Sequence, residues 1–402
     1  MNFAQVDEIL QRYVDNQLLP GVSYAVLQGS DVVQSNYIGY SDLENKVPLR
    51  PDHFFRVMSN TKLVTTCAVL LLIEEELIEL ADPIEKYIPG LGARQVLSAD
   101  AQTINDTHPA RSSITIANLL THTSGLSYGL FDPGSLLFKA YKERQVLSSD
   151  STLSQMMDAL SDLPLKFEPG SGWEYSVATD VLGRLIEVVS GVDLAQFFQA
   201  RIFDPLGMVD TAFWIPPQQQ SRLANYYRGA DRFDPLKPGL TQIDSAQHRY
   251  AYLKPHPRQS AGGGLVSTLS DMVVLIQSLL LNKPNRPNTL SKTLLSSKTI
   301  TMMMSDQLPQ GRSIRFDHLG EIAGTGFGFG GSITVTPAAN APIASAGEFQ
   351  WGGIAGTHWW ISPNTGLSAV IMTQREMAFW HPFSFEFKNA VYAAAGFHLL
   401  KK

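Results

Sequence analysis

The residues best suited to covalent chemistry are a serine and a lysine three positions apart in the segment FFRVMSNTK. Ser59 and Lys62 form the one Ser-x-x-Lys sequence of the chain. A serine hydroxyl is a poor nucleophile unless a neighbouring base takes its proton, and a lysine becomes such a base when burial and nearby cations lower its pKa. Because residues three apart on a helix lie on one face, a helix beginning near Ser59 would place the two side chains together.

The apolar stretch that follows would remove Lys62 from water, which activation of the serine requires. Residues 63–73 are apolar nearly all round, which predicts a buried helix. Burial would desolvate Lys62, and the helix N-terminus would add backbone N–H donors near Ser59. For an isolated motif of this kind, the alternative is a serine that caps the helix and a lysine on the surface.

A second candidate is a tyrosine in the segment FEPGSGWEYS. Tyr175 comes just before residues with helical apolar spacing at 177–186, so we expect it on a loop at the start of a helix. From there it could reach into a cleft as an acid or a base beside a lysine. The alternative is a tyrosine that packs against the helix entry.

A third candidate is the glycine-rich triplet Trp351, Gly352 and Gly353, which begins a strand-like aromatic run. Glycines within a strand often mark a bulge or a close backbone approach to a ligand. A backbone N–H here, paired with that of Ser59, could form an oxyanion hole. The alternative is a glycine-kinked strand that carries a core tryptophan.

The elements that must position these residues come from three blocks of the chain. The first block predicts a helix at 2–18 and two strands within 22–42, and the last predicts strands around 327–336, 350–361 and 366–373 before a helix at 384–395. The middle block predicts helices at 115–121, 151–161, 176–190, 193–202 and 268–281, separated by long loops.

This order predicts an α+β fold with an antiparallel sheet whose strands come from both ends of the chain. Helices flank the sheet, and a mainly helical region is inserted. We predict a discontinuous α/β domain of residues 1–85 and 286–402, and a mainly helical domain with long loops at 86–285. The active site would lie in the cleft between them.

Composition excludes several classes of function. The 402 residues carry 31 basic and 37 acidic side chains, a formal charge of -6, which argues against nucleic acid or an anionic membrane as the main partner. A single cysteine excludes an intrachain disulfide and a cysteine-rich metal site. No apolar run is long enough to span a membrane. No signal peptide is visible in MNFAQVDEIL, which favours the cytoplasm.

In this order and at this spacing, the three motifs resemble those of the serine β-lactamase and penicillin-binding-protein superfamily, in which Ser-x-x-Lys carries the nucleophile. The resemblance implies the β-lactamase/DD-peptidase-like fold and runs over about residues 20–375. Further stretches resemble the class C β-lactamase-like branch: LADPIEKYIP, ITIANLLTHTSGL, FDPLGMVDTAF, SAGGGLVSTLSDM and GIAGTHWWISPNTGLSAVIMTQ.

Two departures from the β-lactamase pattern change the expected substrate. The second β-lactamase motif is Tyr-x-Asn, whereas this chain has Tyr175 followed by Ser176 and Val177, so the amide is missing. The third is Lys-Thr-Gly, and the Trp-Gly-Gly triplet found here replaces its cation with an apolar wall. This triplet is similar to that of family VIII carboxylesterases and their acyltransferase relatives. An arginine elsewhere in the pocket could replace the cation, which leaves weak β-lactam hydrolysis open.

The resemblance implies a role for each matched residue. Ser59 would be acylated, Lys62 would activate it, and Tyr175 would share proton transfer with Lys62 and protonate the leaving alcohol. The backbone N–H groups of Ser59 and Ile354 would form the oxyanion hole. Trp351, with the two glycines after it, would line the substrate pocket. The resemblance implies neither a metal nor an organic cofactor.

Three other reactive side chains receive no catalytic role. His122 is assigned to a turn that ends a helix, because the chain has no Gly-x-Ser-x-Gly nucleophile elbow for it to serve. His358 is a candidate for the rim of the cleft. Cys67 lies inside the apolar helix and is expected to be a buried small hydrophobe.

The predicted function is a serine esterase that hydrolyses small to medium acyl esters through an acyl-enzyme, with a small-molecule ester as its partner. If an alcohol or amine accepts the acyl group instead of water, the same residues make an acyltransferase, and both alternatives stay open. A β-lactamase or D-amino-acid peptidase is disfavoured by the missing motifs. A catalytically silent binding protein on the same fold is disfavoured because Ser59, Lys62 and Tyr175 occur together.

Overall fold

A computed structural model describes residues 1–243, 252–280, 293–316 and 319–397 of the chain. Its α-helices are α1 (Ala4–Asp15), α2 (Thr61–Glu74), α3 (Ile116–Leu120), α4 (Leu136–Glu143), α5 (Leu153–Ser161), α6 (Ala178–Ser190), α7 (Leu194–Phe198), α8 (Asp204–Leu206), α9 (Leu269–Ser278), α10 (Ser297–Met303) and α11 (Pro382–Ala394). Its strands are β1 (Gly21–Gln28), β2 (Asp31–Asp42), β3 (Val47–Pro48), β4 (Phe55–Arg56), β5 (Gln95–Leu97), β6 (Thr107–Pro109), β7 (Tyr227–Gly229), β8 (Leu240–Gln242), β9 (Val266–Ser267), β10 (Arg315–Phe316), β11 (Gly320–Glu321), β12 (Thr325–Phe327), β13 (Ser332–Thr334), β14 (Phe349–Gly353), β15 (Thr357–Ser362) and β16 (Leu367–Thr373).

The central element is an eight-stranded sheet with the order β12-β13-β14-β15-β16-β1-β2-β3. Neighbouring strands in it are antiparallel, and β1 pairs with β16 from Val22 opposite Thr373 to Gln28 opposite Leu367. The two ends of the chain therefore meet in the middle of the sheet. The predicted α+β architecture, with an antiparallel sheet built from both ends of the chain, is confirmed.

Both faces of the sheet are covered, which explains why β1 and β16 are buried along almost their whole length. Side chains of β1 that point to one face pack with α1 and α11 in one apolar cluster. Those that point to the other face join the large core that contains α2 and α9. A strand covered on both faces reads as a continuous apolar run, as GVSYAVLQ does.

Helix α2 crosses the large core and is buried on every side over most of its length, as the sequence predicts. Cys67 is fully buried within it, and burial raises the pKa of its thiol to about 12. The thiol is therefore held as a neutral small hydrophobe. The fixed position of α2 makes its first turn a rigid platform for Ser59 and Lys62.

A tight turn divides the segment 350–361 into β14 and β15. Gly356 in this turn has a φ of 82°, and a Cβ on it would lie 2.5 Å from the Cγ2 atom of Thr373. The segment 327–336 is likewise divided between β12 and β13.

Between the parts that form the sheet, helices α3 to α9 alternate with short paired strands, β5 with β6 and β7 with β8. The predicted domain boundary at 285/286 lies outside the described residues, and the division into two domains stays a prediction. In the ranges that the structure describes, no helix combines the length and the apolar character needed to cross a membrane.

Helix α9, which packs on the sheet, begins with a buried carboxyl group whose ionisation should affect stability. Asp271 is 5% exposed and accepts hydrogen bonds from the Thr211 hydroxyl and the Asp210 N–H, both at 2.8 Å. Burial raises its pKa to about 6, although these hydrogen bonds oppose the shift. The folded protein therefore binds this proton more tightly than the unfolded chain does.

We expect the stability contributed by Asp271 to be full below about pH 4, and to be lost as the pH rises through about 6. The variant Asp271→Asn should lack this loss, so the difference in free energy of unfolding between wild type and variant should change between pH 4.5 and pH 7. Urea denaturation at both pH values measures it. Parallel pH profiles of the two proteins would contradict the assignment.

Candidate active site

The three predicted catalytic side chains meet at one point of the structure. The Tyr175 hydroxyl lies 2.7 Å from the Ser59 Oγ, although the two residues are 116 positions apart. The Lys62 Nζ lies 3.5 Å from the same oxygen. One serine hydroxyl is thus within hydrogen-bonding distance of two groups that can exchange protons, and the shorter contact is with the tyrosine.

Ser59 sits in the short 3-10 turn Met58–Asn60 that leads into α2. Its side chain caps no helix, so the alternative of a capping serine does not describe the structure. Met58 has a φ of 48°, a left-handed conformation that is costly for a residue with a side chain. This local strain turns the chain sharply at the serine, and it occurs where catalytic residues are often found.

Lys62 is 2% exposed and is held by groups from three other segments. Its Nζ donates a hydrogen bond of 2.6 Å to the Gly262 carbonyl oxygen. The same nitrogen lies 4.7 Å from the centre of the Tyr175 ring and 5.4 Å from that of the Tyr128 ring. The ammonium is therefore shielded from water and stabilised by a carbonyl and two aromatic faces.

The net effect of this environment is to raise the pKa of Lys62, contrary to the expectation that burial and nearby cations lower it. Burial does favour the neutral amine, but Tyr128, Tyr175 and Asp180 favour the ammonium and outweigh burial. These are groups that carry negative charge when ionised, rather than cations. Lys62 is therefore an ammonium in the free protein at neutral pH.

Asp180, on the first turn of α6, is a functional candidate that the sequence did not single out. Its buried carboxylate accepts a 2.8 Å hydrogen bond from the Ser260 hydroxyl, and the Arg258 guanidinium lies 3.9 Å away. A Cβ on Gly262 would lie 2.8 Å from the Asp180 Oδ2 and 3.2 Å from the Lys62 Nζ. The glycine run in SAGGGLVST was the available signal, since a side chain at Gly262 would separate lysine from carboxylate.

Tyr175 is held within a cluster of aromatic rings and is 8% exposed. Its ring lies nearly parallel to those of Tyr128 and Trp173, with centroids 5.4 and 6.4 Å away. The Trp351 indole N–H lies 3.4 Å from the Tyr175 hydroxyl oxygen. Packing on several sides fixes the hydroxyl group over Ser59.

His122 lies in the turn after α3, as predicted, and contacts the segment that carries Tyr175. The Ser176 N–H donates to the His122 Nδ1 at 3.3 Å, and the imidazole centroid lies 5.0 Å from that of Tyr175. Burial and the nearby Lys62 ammonium lower the pKa of His122 well below its ordinary value. The imidazole is therefore neutral. Among the hydrogen bonds of the described residues, none joins His122 to Ser59.

The third motif ends strand β14 beside the nucleophile. A Cβ on Gly353 would lie 2.5 Å from the Val57 carbonyl oxygen and 2.9 Å from the Met58 Cβ, so this glycine allows the strand to pack against the serine turn. Ile354 follows in the turn between β14 and β15 and lines the same pocket as Ser59. Its assignment to an oxyanion hole stays a prediction.

The pocket in front of Ser59 holds about 480 Å³, part of it open to solvent. Ser59 and Tyr175 bring hydroxyl groups to it, and its walls are mainly aromatic. Besides the predicted residues, the lining includes Phe131, Phe316, Met377, Phe379 and Trp380. The sequence did not indicate these five, because they come from three segments, at 131, 316 and 377–380, that have no common motif. Such a pocket suits an apolar group next to a reactive carbonyl.

His358 lies on β15 opposite Gly352 and does not line the pocket that contains Ser59. Burial, followed by the nearby Lys388 ammonium, lowers the pKa of His358 to about 3, so the imidazole is neutral. In the described ranges, no group of three or more histidine, cysteine or acidic side chains could hold a metal ion.

Comparison with known proteins identifies the family of the chain. The family model described as Beta-lactamase matches residues 6–379. The chain belongs to the Beta-lactamase family. This confirms the predicted superfamily, its fold and the prediction of a serine hydrolase.

Similar proteins extend over nearly the whole chain. Protein Rv1367c of Mycobacterium tuberculosis is 33% identical over 382 residues, which cover 93% of this chain and 90% of that protein. Esterase EstB of Burkholderia gladioli is 28% identical and covers 97% of this chain and 95% of its own length. The solved structure of EstCE1, described as a hydrolase with promiscuous acyltransferase activity, is similar with a TM-score of 0.80 at 26% identity, over 97% of this chain and 98% of that one.

The variant Gly353→Ala tests whether close packing of β14 on the serine turn matters for reactivity. The added methyl group would lie 2.5 Å from both the Val57 carbonyl oxygen and the Thr357 Oγ1. These two atoms are hydrogen-bonded to each other, so the serine turn must shift to make room. We expect the rate at which a fluorophosphonate probe labels Ser59 to fall at least tenfold. The control is Gly90→Ala, where a Cβ would find its nearest atom at 3.8 Å. Equal labelling rates in the two variants would show that the approach is dispensable.

Proposed function

We propose that this protein is a carboxylesterase that transfers the acyl group of a neutral ester to Ser59 and then to water. The observation that carries the proposal is the 2.7 Å contact between the Tyr175 hydroxyl and the Ser59 Oγ, with the Lys62 ammonium beside both. A serine with an adjacent proton acceptor, itself oriented by a third group, is the arrangement of an activated nucleophile.

Proton transfer is shared by Tyr175 and Lys62. Because Lys62 is held as an ammonium, the proton acceptor of the pair must be the Tyr175 oxygen, and the Lys62 ammonium faces the Tyr175 ring, where it stabilises the negative charge that this oxygen needs in order to accept a proton. As the Ser59 Oγ attacks the ester carbonyl carbon, its proton passes to the Tyr175 oxygen. The same proton goes to the leaving alcohol oxygen when the carbon–oxygen bond breaks. In the second half-reaction, a water molecule gives a proton to Tyr175 and attacks the acyl carbon, and the proton returns to Ser59.

The negative charge that develops on the carbonyl oxygen needs donors in fixed positions. We assign this role to the backbone N–H groups of Ser59 and Ile354. Both residues line the pocket, and the packing of Gly353 on Val57 and Met58 keeps their segments together. Loss of one donor in such a hole typically costs about 10²- to 10³-fold in kcat.

The aromatic walls support a neutral ester as substrate. Trp351 stands where a β-lactamase of this class has the lysine of Lys-Thr-Gly, and burying a substrate carboxylate against an indole would leave its charge unpaired. The names of the relatives EstB and EstCE1 agree with ester hydrolysis. Acyl transfer to an alcohol is the second candidate, because EstCE1 is described as also having acyltransferase activity.

Substitution of the three central residues tests the proposed roles. With p-nitrophenyl acetate, Ser59→Ala should abolish turnover above background. Lys62→Ala and Tyr175→Phe should each lower kcat at least a hundredfold, because residues that act as a unit are not additive. Ser171→Ala, at an exposed serine in the same loop as Tyr175, is the control and should keep wild-type kcat.

Thermal unfolding of each variant identifies any loss of activity that comes from loss of the fold. A Lys62→Ala protein that retained a tenth or more of the wild-type kcat would not depend on Lys62 for activation. Failure of a fluorophosphonate to label Ser59 in the wild-type protein would instead support the alternative of a catalytically silent binding protein.

The choice of substrate and acceptor is tested by turnover of a p-nitrophenyl ester ladder from acetate to decanoate, with and without added alcohol. We expect hydrolysis to exceed turnover of the β-lactam nitrocefin by at least a hundredfold. If an added alcohol raises kcat and yields a new ester, the acyl-enzyme prefers alcohol and the protein is an acyltransferase. Nitrocefin turnover equal to ester turnover would contradict the proposal.

A further inference from the structure

Asp180, which the catalytic steps proposed above do not use, is bonded to residues 258–265, which we call the glycine segment. The Asp180 side chain lies on the first turn of α6 and is 1% exposed. Its Oδ1 accepts a 2.8 Å hydrogen bond from the Ser260 hydroxyl and a 3.4 Å hydrogen bond from the Gly262 N–H. The Arg258 guanidinium lies 3.9 Å from the same oxygen. One buried carboxylate therefore holds the glycine segment at three points.

The glycine segment is also bonded to α2, the helix that carries Lys62. The Gly262 carbonyl oxygen accepts the 2.6 Å hydrogen bond from the Lys62 Nζ. The Ala261 carbonyl oxygen accepts a 2.7 Å hydrogen bond from the Thr65 hydroxyl, one turn further along α2. Gly262 thus binds the carboxylate through its N–H and the lysine through its carbonyl, so a shift of this residue would move the acceptor that holds the ammonium.

The carboxylate also faces the ammonium across Gly262. A Cβ on Gly262 would lie 2.8 Å from the Asp180 Oδ2 and 3.2 Å from the Lys62 Nζ. The space between the two charged groups is therefore about that of one methyl group, and glycine leaves it open. Opposite charges at such a separation stabilise each other when both are buried.

Other titratable side chains also surround the ammonium. Tyr128 and Tyr175 present their ring faces to it, and the buried His122 is neutral. Arg258 is a second cation, and it lies beside the Asp180 carboxylate. Among these groups Asp180 is the one carboxylate, and it therefore supplies the charge that compensates the ammonium.

We propose that Asp180 is a positioning residue for the reaction: it fixes the Gly262 carbonyl that binds Lys62 and compensates the charge of the ammonium, which stays beside Ser59 and Tyr175. The inference rests on the proposed function, because it concerns the lysine of the same site. Asp180 does not line the pocket that contains Ser59. Its loss should therefore slow the chemical step and leave binding of the ester unchanged.

The variant Asp180→Asn removes the charge and keeps the shape of the side chain. With p-nitrophenyl acetate at pH 7, we expect kcat to fall at least tenfold and KM to stay within twofold of the wild-type value. Because loss of a nearby negative charge lowers the pKa of Lys62, the alkaline limb of the pH profile of kcat/KM should move to lower pH by at least one unit. Ser59→Ala gives the background rate at each pH.

The matched control is Asp271→Asn, which also removes a buried carboxyl group from the first turn of a helix, α9. Asp271 is distant from the catalytic residues in every hydrogen bond described for it, which join it to residues 210, 211 and 268. This variant should keep the wild-type kcat and the wild-type alkaline limb.

A second variant, Gly262→Ala, keeps both charges and places a methyl group between Asp180 and Lys62. We expect kcat to fall at least tenfold and the alkaline limb to move in the same direction as in Asp180→Asn. Its control is Gly263→Ala, where a Cβ would find its nearest atom, the Met58 carbonyl carbon, at 3.8 Å. If Asp180→Asn does not fold, the comparison of these two alanine variants decides in its place.

Two results overturn the inference: a wild-type kcat in Asp180→Asn, or a loss of activity that is equal at every pH and so reflects packing alone. Failure of the inference differs from failure of the proposed function. If wild-type protein and Asp180→Asn hydrolyse p-nitrophenyl acetate equally well, Asp180 positions nothing that the reaction needs and the esterase assignment stands. If wild-type protein hydrolyses no ester, the proposed function fails and the inference fails with it.

Discussion

Burial of the Lys62 ammonium is the constraint on which the rest of the site depends. A charge removed from water costs several kcal/mol unless it is paired and hydrogen-bonded. In this protein the compensation comes from the Gly262 carbonyl, from the faces of Tyr128 and Tyr175, and from the Asp180 carboxylate. These partners come from three segments, at residues 128, 175–180 and 262, so burial of the ammonium in the core requires all three segments to assemble around α2.

The need to stabilise the buried ammonium also explains why position 262 is a glycine and position 175 a tyrosine. Gly262 must lack a side chain because a Cβ would lie between the lysine and the carboxylate. The Tyr175 ring covers the ammonium while its hydroxyl group reaches Ser59. One side chain therefore stabilises the charge and, in the mechanism that we propose, also takes part in proton exchange. The sheet, formed by the two ends of the chain, brings the Trp-Gly-Gly segment to the same place.

Sequence alone was sufficient where the geometry depends on local spacing. The spacing of Ser59 and Lys62 and the apolar stretch after them predict two neighbouring side chains at the start of a buried helix, and Tyr175 is recognisable at the start of another helix. The direction of the Lys62 pKa shift was missed because Tyr128 and Asp180 are distant along the chain. The aromatic walls were missed because their members share no motif.

The aromatic surroundings of Tyr175 have an optical consequence. Trp173 and Trp351 pack against the tyrosine ring and Trp380 lines the pocket, so half of the six tryptophans of the chain lie at this site. The Trp351 indole N–H approaches the Tyr175 hydroxyl group, for which we propose proton exchange with Ser59. An acyl group attached to the serine would change the polarity around these indoles. The intrinsic fluorescence of the unmodified protein therefore offers a signal, without any added label, for the formation and decay of a covalent intermediate.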